Sequence, residues 1–182
     1  MRLSDIFCRS REFKKTLETS RARLYRVAYA WTHDAALADD LVQETLVKAW
    51  QKSDQLRDPK AQEAWLFSIL TNCFRDHHRR QRETEDIDEM EIACDHCLET
   101  EQIRSELVMR VRQAISRLPE GQRQVVTLVD LEGFSYTEVS SILGIPSGTV
   151  MSRLCRARGA LKSMLLPELT ASHQGARIRR VK

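Results

Sequence analysis

The positions of glycine and proline in the last third of the chain constrain its fold more than any other feature of the sequence. Four of them divide residues 118–162 into short segments: Pro119, Gly133, Gly144 and Pro146. Apolar residues recur with helical spacing between these positions, so we predict helices that end at the glycines and begin at the prolines, with Pro119 at the first helical position. Ser135 and Glu138 have the spacing of a capping box, which predicts the start of a short helix. A short helix, a glycine turn and a longer helix form a helix-turn-helix layout.

Helical spacing also covers the first part of the chain, from about residue 13 to residue 82. One apolar stripe consists of Val42, Leu46, Ala49 and Trp50. The sequence SDQLRDP (53–59) interrupts the pattern, because the residue before a proline disfavours helix. A new helix is predicted from about Lys60, with four residues facing inward: Leu66, Ile69, Leu70 and Cys73.

Composition supports an all-α fold, since only 6 Gly and 4 Pro interrupt the chain and 30% of its residues are charged. Charge is distributed as a basic stretch, an acidic stretch and a second basic stretch. We therefore predict two small helical domains (1–82 and 102–182) joined by an acidic flexible linker (83–101). The second domain is predicted as a four-helix helix-turn-helix domain with a basic C-terminal tail. The basic regions around an acidic spacer suggest two surfaces that face nucleic acid.

No targeting or membrane segment is evident. The N-terminus lacks the apolar stretch of a signal peptide, and no apolar run approaches the roughly 18 residues of a membrane span. We expect a cytoplasmic protein, which associates with the nucleoid if it binds DNA. Five Cys residues in such a chain predict no disulfide.

The predicted last helix has two different faces. Val150, Leu154, Ala157 and Leu161 lie on one side. The other side carries Gly148, Ser152, Cys155 and Arg156, with Thr149 beside them and Arg153 and Arg158 at the edges. Small residues allow close approach to base edges, hydroxyl groups can bond phosphate or bases, and Arg can bind guanine. A solvated face on a packed helix is the alternative interpretation.

The helix that ends in NCFRDHHRRQR leaves a similar alternative open. Its polar and basic face consists of Ser68, Asn72, Arg75, Arg79 and Arg82. Three aromatic residues lie near this face: Trp65, Phe67 and Phe74. Aromatic side chains beside arginine suit unstacked bases, but the same aromatics could simply be core residues.

The sequence CDHC (94–97) offers Cys94, His96 and Cys97 as metal ligands. A structural zinc site needs four ligands, commonly as two spaced pairs, and no second pair exists in the chain. We interpret this sequence as inert, with a metal or redox sensor as the alternative. The chain also lacks a glycine-rich phosphate loop, HExxH and GxSxG, so we expect neither catalytic activity nor a cofactor.

Two stretches together resemble a known family. DDLVQETLVKAW (39–50), followed by AWLFSILTNCFRDHHRRQR (64–82), is similar to domain two of bacterial sigma factors. Residues 118–162 are similar to sigma domain four. In this order and around a short linker, the two stretches resemble the extracytoplasmic-function (ECF) sigma factors of RNA polymerase. The resemblance implies a factor that binds core RNA polymerase, directs it to promoters and is controlled by an anti-sigma factor.

The resemblance also implies roles for individual residues. Asp40, Gln43 and Glu44 would bind the clamp of the polymerase. Six residues would contact the single-stranded −10 element: Lys52, Ser53, Asp54, Asn72, Arg75 and Arg79. Four would contact the duplex −35 element: Thr149, Ser152, Arg153 and Arg156. Met151 departs from the family pattern, in which a basic residue is common at this position.

The linker length agrees with this interpretation. Residues 83–101 reach at most about 65 Å when extended, whereas a spacer of about 17 base pairs measures about 58 Å at about 3.4 Å per step. A stand-alone helix-turn-helix regulator that binds duplex operator DNA is the alternative function. It would bind a palindromic site without polymerase.

Overall fold

The computed structural model describes residues 3–56, 58, 61–84 and 102–174. Within these ranges the chain forms seven α-helices and no strand: α1 (Leu3–Thr32), α2 (Ala35–Gln51), α3 (Gln62–Thr84), α4 (Gln102–Ser116), α5 (Glu120–Val126), α6 (Tyr136–Leu143) and α7 (Ser147–Gln174). The predicted all-α fold class is confirmed. None of the described helices combines the length and apolar character that a membrane crossing requires.

Helices α1, α2 and α3 form the N-terminal module, in which α2 packs against both of the others. The chain reverses between α1 and α2 at His33, whose φ is 55°. The Asp34 side chain then caps α2 by accepting hydrogen bonds from the backbone N–H groups of Ala36 and Leu37, at 2.8 and 3.1 Å. This cap satisfies donors that have no partner inside the helix, and it fixes where α2 begins.

The predicted interruption after α2 is confirmed. Residues Ser53–Gln55 form one 3-10 turn, and Leu56 is buried behind it. The four residues predicted to face inward from α3 are all buried: Leu66, Ile69, Leu70 and Cys73. Trp50, which belongs to the predicted apolar stripe of α2, is 50% exposed. Its ring has Phe13 of α1 as a neighbour, with ring centroids 6.3 Å apart.

Helices α4 to α7 form the C-terminal module, in which α7 packs against each of the other three. Pro119 occupies the N-cap of α5 and not the first helical position, since its ψ of 143° is extended. That prediction was therefore wrong by one residue. Helix α5 continues into a π-helical segment (Thr127–Leu131). The chain then turns at Gly133, whose φ is 79°.

The helix-turn-helix layout is confirmed in α6 and α7. The Ser135 backbone N–H donates to Glu138 at 2.8 Å, and the Glu138 N–H donates to Ser135 Oγ at 3.3 Å. These contacts form the predicted capping box. Hydrogen bonds from Ser135 lower the pKa of the Glu138 carboxyl group. Gly144 ends α6 in the left-handed conformation, with a φ of 60°.

The two modules also pack against each other, an arrangement that the sequence did not predict. Helix α3 contacts α6, and α1 contacts α4, α5 and the π-helical segment. One apolar cluster contains buried residues from both modules, including Trp31, Phe67, Phe74, Leu128 and Phe134. The first two residues of the predicted linker lie within α3, and the rest of it (85–101) lies outside the described residues. The proposed domain boundaries stay predictions.

Candidate nucleic-acid interface

The N-terminal half of α7 presents the exposed face that the sequence predicts. The Pro146 carbonyl accepts hydrogen bonds from the N–H groups of Thr149 and Val150, at 2.8 and 3.1 Å, and so begins the helix. Three apolar residues fix its buried side: Val150, Leu154 and Ala157. Because this side is held by the rest of the module, the opposite side is directed to solvent.

Four residues that were predicted to face outward from α7 are exposed: Gly148, Ser152, Cys155 and Arg156. A Cβ added at Gly148 would meet no heavy atom within 4 Å. The Ser152 hydroxyl donates to the Thr149 carbonyl at 3.1 Å, and Thr149 itself is half-buried. A second helix of a helix-turn-helix enters the major groove with its N-terminal residues toward the bases, and this face has the small, polar and basic side chains that such contact requires.

Arginines at the edges of α7 contact α5 and the π-helical segment that follows it. Arg153 is half-buried and lies over Gly121 of α5, where an added Cβ would be 2.8 Å from one of its terminal nitrogens. Arg158 donates two hydrogen bonds to Asp130, at 2.6 and 3.1 Å. This pair raises the pKa of the Arg158 guanidinium group. Arg153 is thus held beside the exposed face, and Arg158 ties α7 to the π-helical segment.

The polar face of α3 is largely exposed, but some of its side chains bind other residues of the protein. Asn72, Arg75 and Arg79 are exposed. Arg79 pairs with Asp76 at 3.3 Å, and Arg75 donates a hydrogen bond to the Leu143 carbonyl at the end of α6. One of the predicted −10 contacts therefore binds the other module.

Residues of the predicted −10 loop lie at the end of α2 and in the turn that follows. The Lys52 N–H donates to the Lys48 carbonyl at 3.0 Å and so closes the helix. Lys52 and Asp54 are exposed, and Ser53 is half-buried. The turn leaves the two charged side chains accessible to a ligand.

The predicted polymerase-binding residues share one surface of α2. Asp40 and Gln43 are exposed, and Glu44 is partly buried. The Gln43 side chain donates to Asp39 at 2.8 Å. Glu44 pairs with Lys48 at 2.8 Å, which raises the pKa of that lysine. The surface is acidic and accessible around Asp40.

Aromatic side chains near α3 differ in accessibility. Phe67 and Phe74 are 1% exposed, whereas Trp65 is half-buried and lies 6.3 Å from Phe13, centroid to centroid. In this arrangement the interpretation of Phe67 and Phe74 as base-stacking residues is wrong, because they pack against neighbouring helices. Val47 and Trp50 are exposed apolar residues of α2, and of the two only Trp50 was named from the sequence, as part of the apolar stripe.

Candidate metal ligands are not clustered in the part of the chain that the structure describes. Cys94, His96 and Cys97 lie outside the described residues. Their interpretation as inert or as a sensor stays a prediction.

Comparison with known proteins assigns a family to both modules. Residues 17–84 match the family described as Sigma-70 region 2, and residues 108–161 match Sigma-70, region 4. The chain belongs to the ECF sigma factors. Among its relatives is the ECF RNA polymerase sigma factor EcfG of Rhodopseudomonas palustris, 38% identical over 146 residues, which are 76% of each chain. RNA polymerase sigma-H factor of Pseudomonas aeruginosa is 34% identical over 76% of this chain and 78% of its own.

Solved sigma factor structures agree with this assignment. The sigma factor RpoE from Bartonella quintana, in complex with the anti-sigma factor NepR, is 32% identical and superposes with a TM-score of 0.74. The superposition covers 85% of this chain and 96% of that one, so it includes both modules. CnrH in complex with the cytosolic domain of CnrY is 28% identical, with a TM-score of 0.61 over 85% of this chain and 88% of CnrH. This sigma factor thus acts in promoter-specific transcription initiation with core RNA polymerase, as the sequence predicted.

Proposed function

We propose that this sigma factor contacts core polymerase and the two promoter elements through three separate surfaces. Asp40, Gln43 and Glu44 on α2 contact the polymerase clamp. The −10 surface consists of Lys52, Ser53, Asp54, Asn72, Arg75 and Arg79, which bind the melted strand. The −35 surface consists of Thr149, Ser152, Arg153 and Arg156, which contact duplex DNA. The factor supplies binding energy and no catalytic group, and it acts in the cytoplasm with the nucleoid.

The observation that carries this proposal is the two-sided character of α7. Its apolar residues are buried in the module, while Ser152 and Arg156 are exposed beside Gly148. A guanidinium group that binds guanine in the major groove contributes about 1–3 kcal/mol of discrimination. The Sigma-70, region 4 match over residues 108–161 includes this whole helix face, which supports placing it at the −35 element.

We attribute strand separation at the −10 element to binding energy as well. Unstacking a base costs a few kcal/mol, and a groove that binds unpaired bases offsets that cost. Exposed Asn72 offers both a donor and an acceptor to a base edge, and Arg79 offers charge to the backbone. The N-terminal module therefore stabilises the melted strand without breaking any covalent bond.

We also propose control by an anti-sigma factor. The superposed RpoE structure is a complex with the anti-sigma factor NepR. The superposed CnrH structure is a complex with the cytosolic domain of CnrY. Both modules of this chain superpose on RpoE as it exists in its complex. An anti-sigma factor would therefore bind this chain with its modules packed together.

Run-off transcription with purified core polymerase and a promoter library tests the proposed function. We expect specific initiation only when core polymerase is present. Arg156→Ala should lower initiation about fivefold to 150-fold on promoters with the preferred −35 sequence, from a loss of about 1–3 kcal/mol. Lys162→Ala is the matched control, since it also removes an exposed cation from α7 but lies beyond the exposed N-terminal face.

A gel shift with the protein alone completes the test. Weak duplex binding without polymerase agrees with the proposal. Tight binding to a palindromic duplex, together with no core-dependent initiation, would support a stand-alone regulator and reject the proposal.

A further inference from the structure

A contact surface between the two modules includes residues that the proposed function needs elsewhere. We call it the closing interface. From the N-terminal module it contains Arg23, Arg26, Trp31, Phe67 and Arg75, and from the C-terminal module Arg123, Thr127, Glu132, Phe134 and Leu143. It combines ion pairs, hydrogen bonds and aromatic contacts.

The ion pairs of the closing interface converge on one buried carboxylate. The Glu132 side chain is only 2% exposed. Arg23 Nε donates to it at 2.8 Å, and a terminal nitrogen of Arg26 donates at 3.2 Å. Both arginines belong to α1, so Glu132 is satisfied by the other module. When the modules separate, this carboxylate becomes solvated and both arginines lose a partner.

Hydrogen bonds join the end of α1 to α5 and the π-helical segment. Trp31 Nε1 donates to Thr127 Oγ1 at 2.8 Å, and this contact is buried. The Arg123 guanidinium group donates to the Trp31 carbonyl at 2.8 Å. Burial lowers the pKa of Arg123. These two hydrogen bonds give a partner to both the indole N–H and the backbone carbonyl of Trp31.

Aromatic packing completes the closing interface. The rings of Phe67 and Phe134 meet edge to face with centroids 5.0 Å apart. The Arg23 guanidinium group lies 5.9 Å from one ring centroid and 6.0 Å from the other. In this packed arrangement Phe67 is 1% exposed and Phe134 is 6% exposed.

The packed arrangement conflicts with simultaneous contact to both promoter elements. Helix α6 packs against both α3 and α7. Packed helix axes lie about 8–10 Å apart, so α3 and α7 approach within about 20 Å of each other where both contact α6. The −10 and −35 elements are separated by about 58 Å at about 3.4 Å per base-pair step. In addition, Arg75 of the −10 surface is bound to the Leu143 carbonyl.

We propose that the closing interface is an autoinhibitory contact in which the C-terminal module occupies part of the −10 surface. This proposal rests on the proposed function, because it assigns a regulatory role to Arg75 of the −10 surface. Arg75 binds the end of α6 in the closed chain and promoter DNA in the open chain. Core polymerase and promoter must therefore compete with the chain's own helix-turn-helix module.

The composition of the closing interface suits a contact that opens. Buried charges lose hydration, and their mutual attraction largely cancels that loss. Within the described residues, Arg123 Nε is buried without a hydrogen-bond partner, which lowers the stability of the closed form. The closed state is consequently favoured by a modest margin that a ligand of the open state can overcome.

Two matched substitutions on one segment test the proposal. Glu132→Gln removes the charge that binds Arg23 and Arg26 across the interface. Asp130→Asn removes the same charge two residues earlier, but Asp130 pairs with Arg158 inside the C-terminal module. We expect Glu132→Gln to tighten the Kd for core polymerase about threefold to tenfold and to increase the radius of gyration in small-angle scattering. Asp130→Asn should change neither quantity.

Trp31→Phe provides a second variant that keeps an aromatic ring and removes the Nε1 donor. It should shift both measurements in the same direction as Glu132→Gln. Circular dichroism establishes that each variant is folded.

The failure of this proposal is distinguishable from the failure of the proposed function. Wild-type initiation with core polymerase tests the function and does not depend on the comparison between variants. If Glu132→Gln and Trp31→Phe are folded, and match Asp130→Asn in Kd and radius of gyration, autoinhibition is rejected. Weaker binding by both variants would reject it equally, because the interface would then support the active state.

Discussion

Arg153 is positioned by the absence of a side chain at Gly121. Its guanidinium group occupies the space where a Cβ would stand, with one nitrogen 2.8 Å from that point. The exposed face of α7 could be predicted from helical spacing alone. The position of Arg153 could not, because it depends on which residue of α5 lies opposite, and sequence spacing within one helix contains no such information.

Gly121→Ala should displace Arg153 without unfolding the module. The clash involves the far end of a flexible side chain, and alanine favours helix over glycine by about 0.5–1 kcal/mol. We expect the free energy of unfolding in urea to rise slightly and −35-dependent initiation to fall. A loss of more than about 1 kcal/mol would show that Arg153 cannot move.

Glu138 gives the helix-turn-helix a dependence on acidity. Its folded pKa lies below the ordinary value of 4.5 because Ser135 donates hydrogen bonds to the carboxylate. A lowered folded pKa means that this contribution is complete above pH 4.5 and disappears as the pH falls through the folded value. We expect Glu138→Gln to flatten the stability profile in this acidic range, measured by urea unfolding at several pH values. An unchanged profile would contradict the role of the capping box.

At the scale of elements, most of the helix boundaries that could be predicted from the sequence were marked by glycine or proline. Helix α6 begins at its capping box and ends at Gly144, and α7 follows Pro146, as the sequence indicated. The π-helical segment was not predicted, since its residues continue the apolar pattern of α5 without a break. The turn at His33 was also missed, because a positive φ at histidine has no clear signal in the sequence.

Two glycines near the helix turn should respond oppositely to alanine. Gly144 has a φ of 60°, so Gly144→Ala should cost about 1–2 kcal/mol from steric strain. Gly148 lies within α7 with no atom near its missing Cβ, so Gly148→Ala should preserve or raise stability. Urea unfolding compares the two variants. Equal destabilisation would mean that the turn tolerates an ordinary residue.

Gly148→Ala should nevertheless affect promoter contact. The added methyl group stands on the exposed face beside Ser152, where small residues allow close approach to bases. Stability and initiation would then change in opposite directions, which a purely structural glycine would not produce.

At the scale of the whole molecule, the sequence predicted two modules but not the contact between them. Trp31 lies in α1, Phe67 in α3 and Phe134 in the turn before α6. Nothing in the sequence shows whether their neighbours belong to the same module. Similarly, the charges of Arg23 and Glu132 lie 109 positions apart. Such a pairing is a property of the folded chain and has no local signature.

Thr127→Val should destabilise the closed chain by about 1–3 kcal/mol, because the buried Trp31 Nε1 donor loses its acceptor. Thr71→Val is the matched control. Thr71 is also buried, but its hydroxyl group donates to the Phe67 carbonyl within the same helix, so its loss removes no contact between modules. Denaturant unfolding of the full chain measures both. Equal effects would contradict a special role for the Trp31 contact.

During protein synthesis, the aromatic contact between Phe67 and Phe134 cannot form until the ribosome has reached Phe134. The ribosome adds roughly 5–20 residues per second, so the 67 positions from Phe67 to Phe134 (134 − 67) take about 3–13 seconds to translate. Throughout this interval the ring of Phe67 has no partner from the second module. Every newly made chain therefore passes through an open state before it can close, and a polymerase that meets the nascent factor has no interface to break.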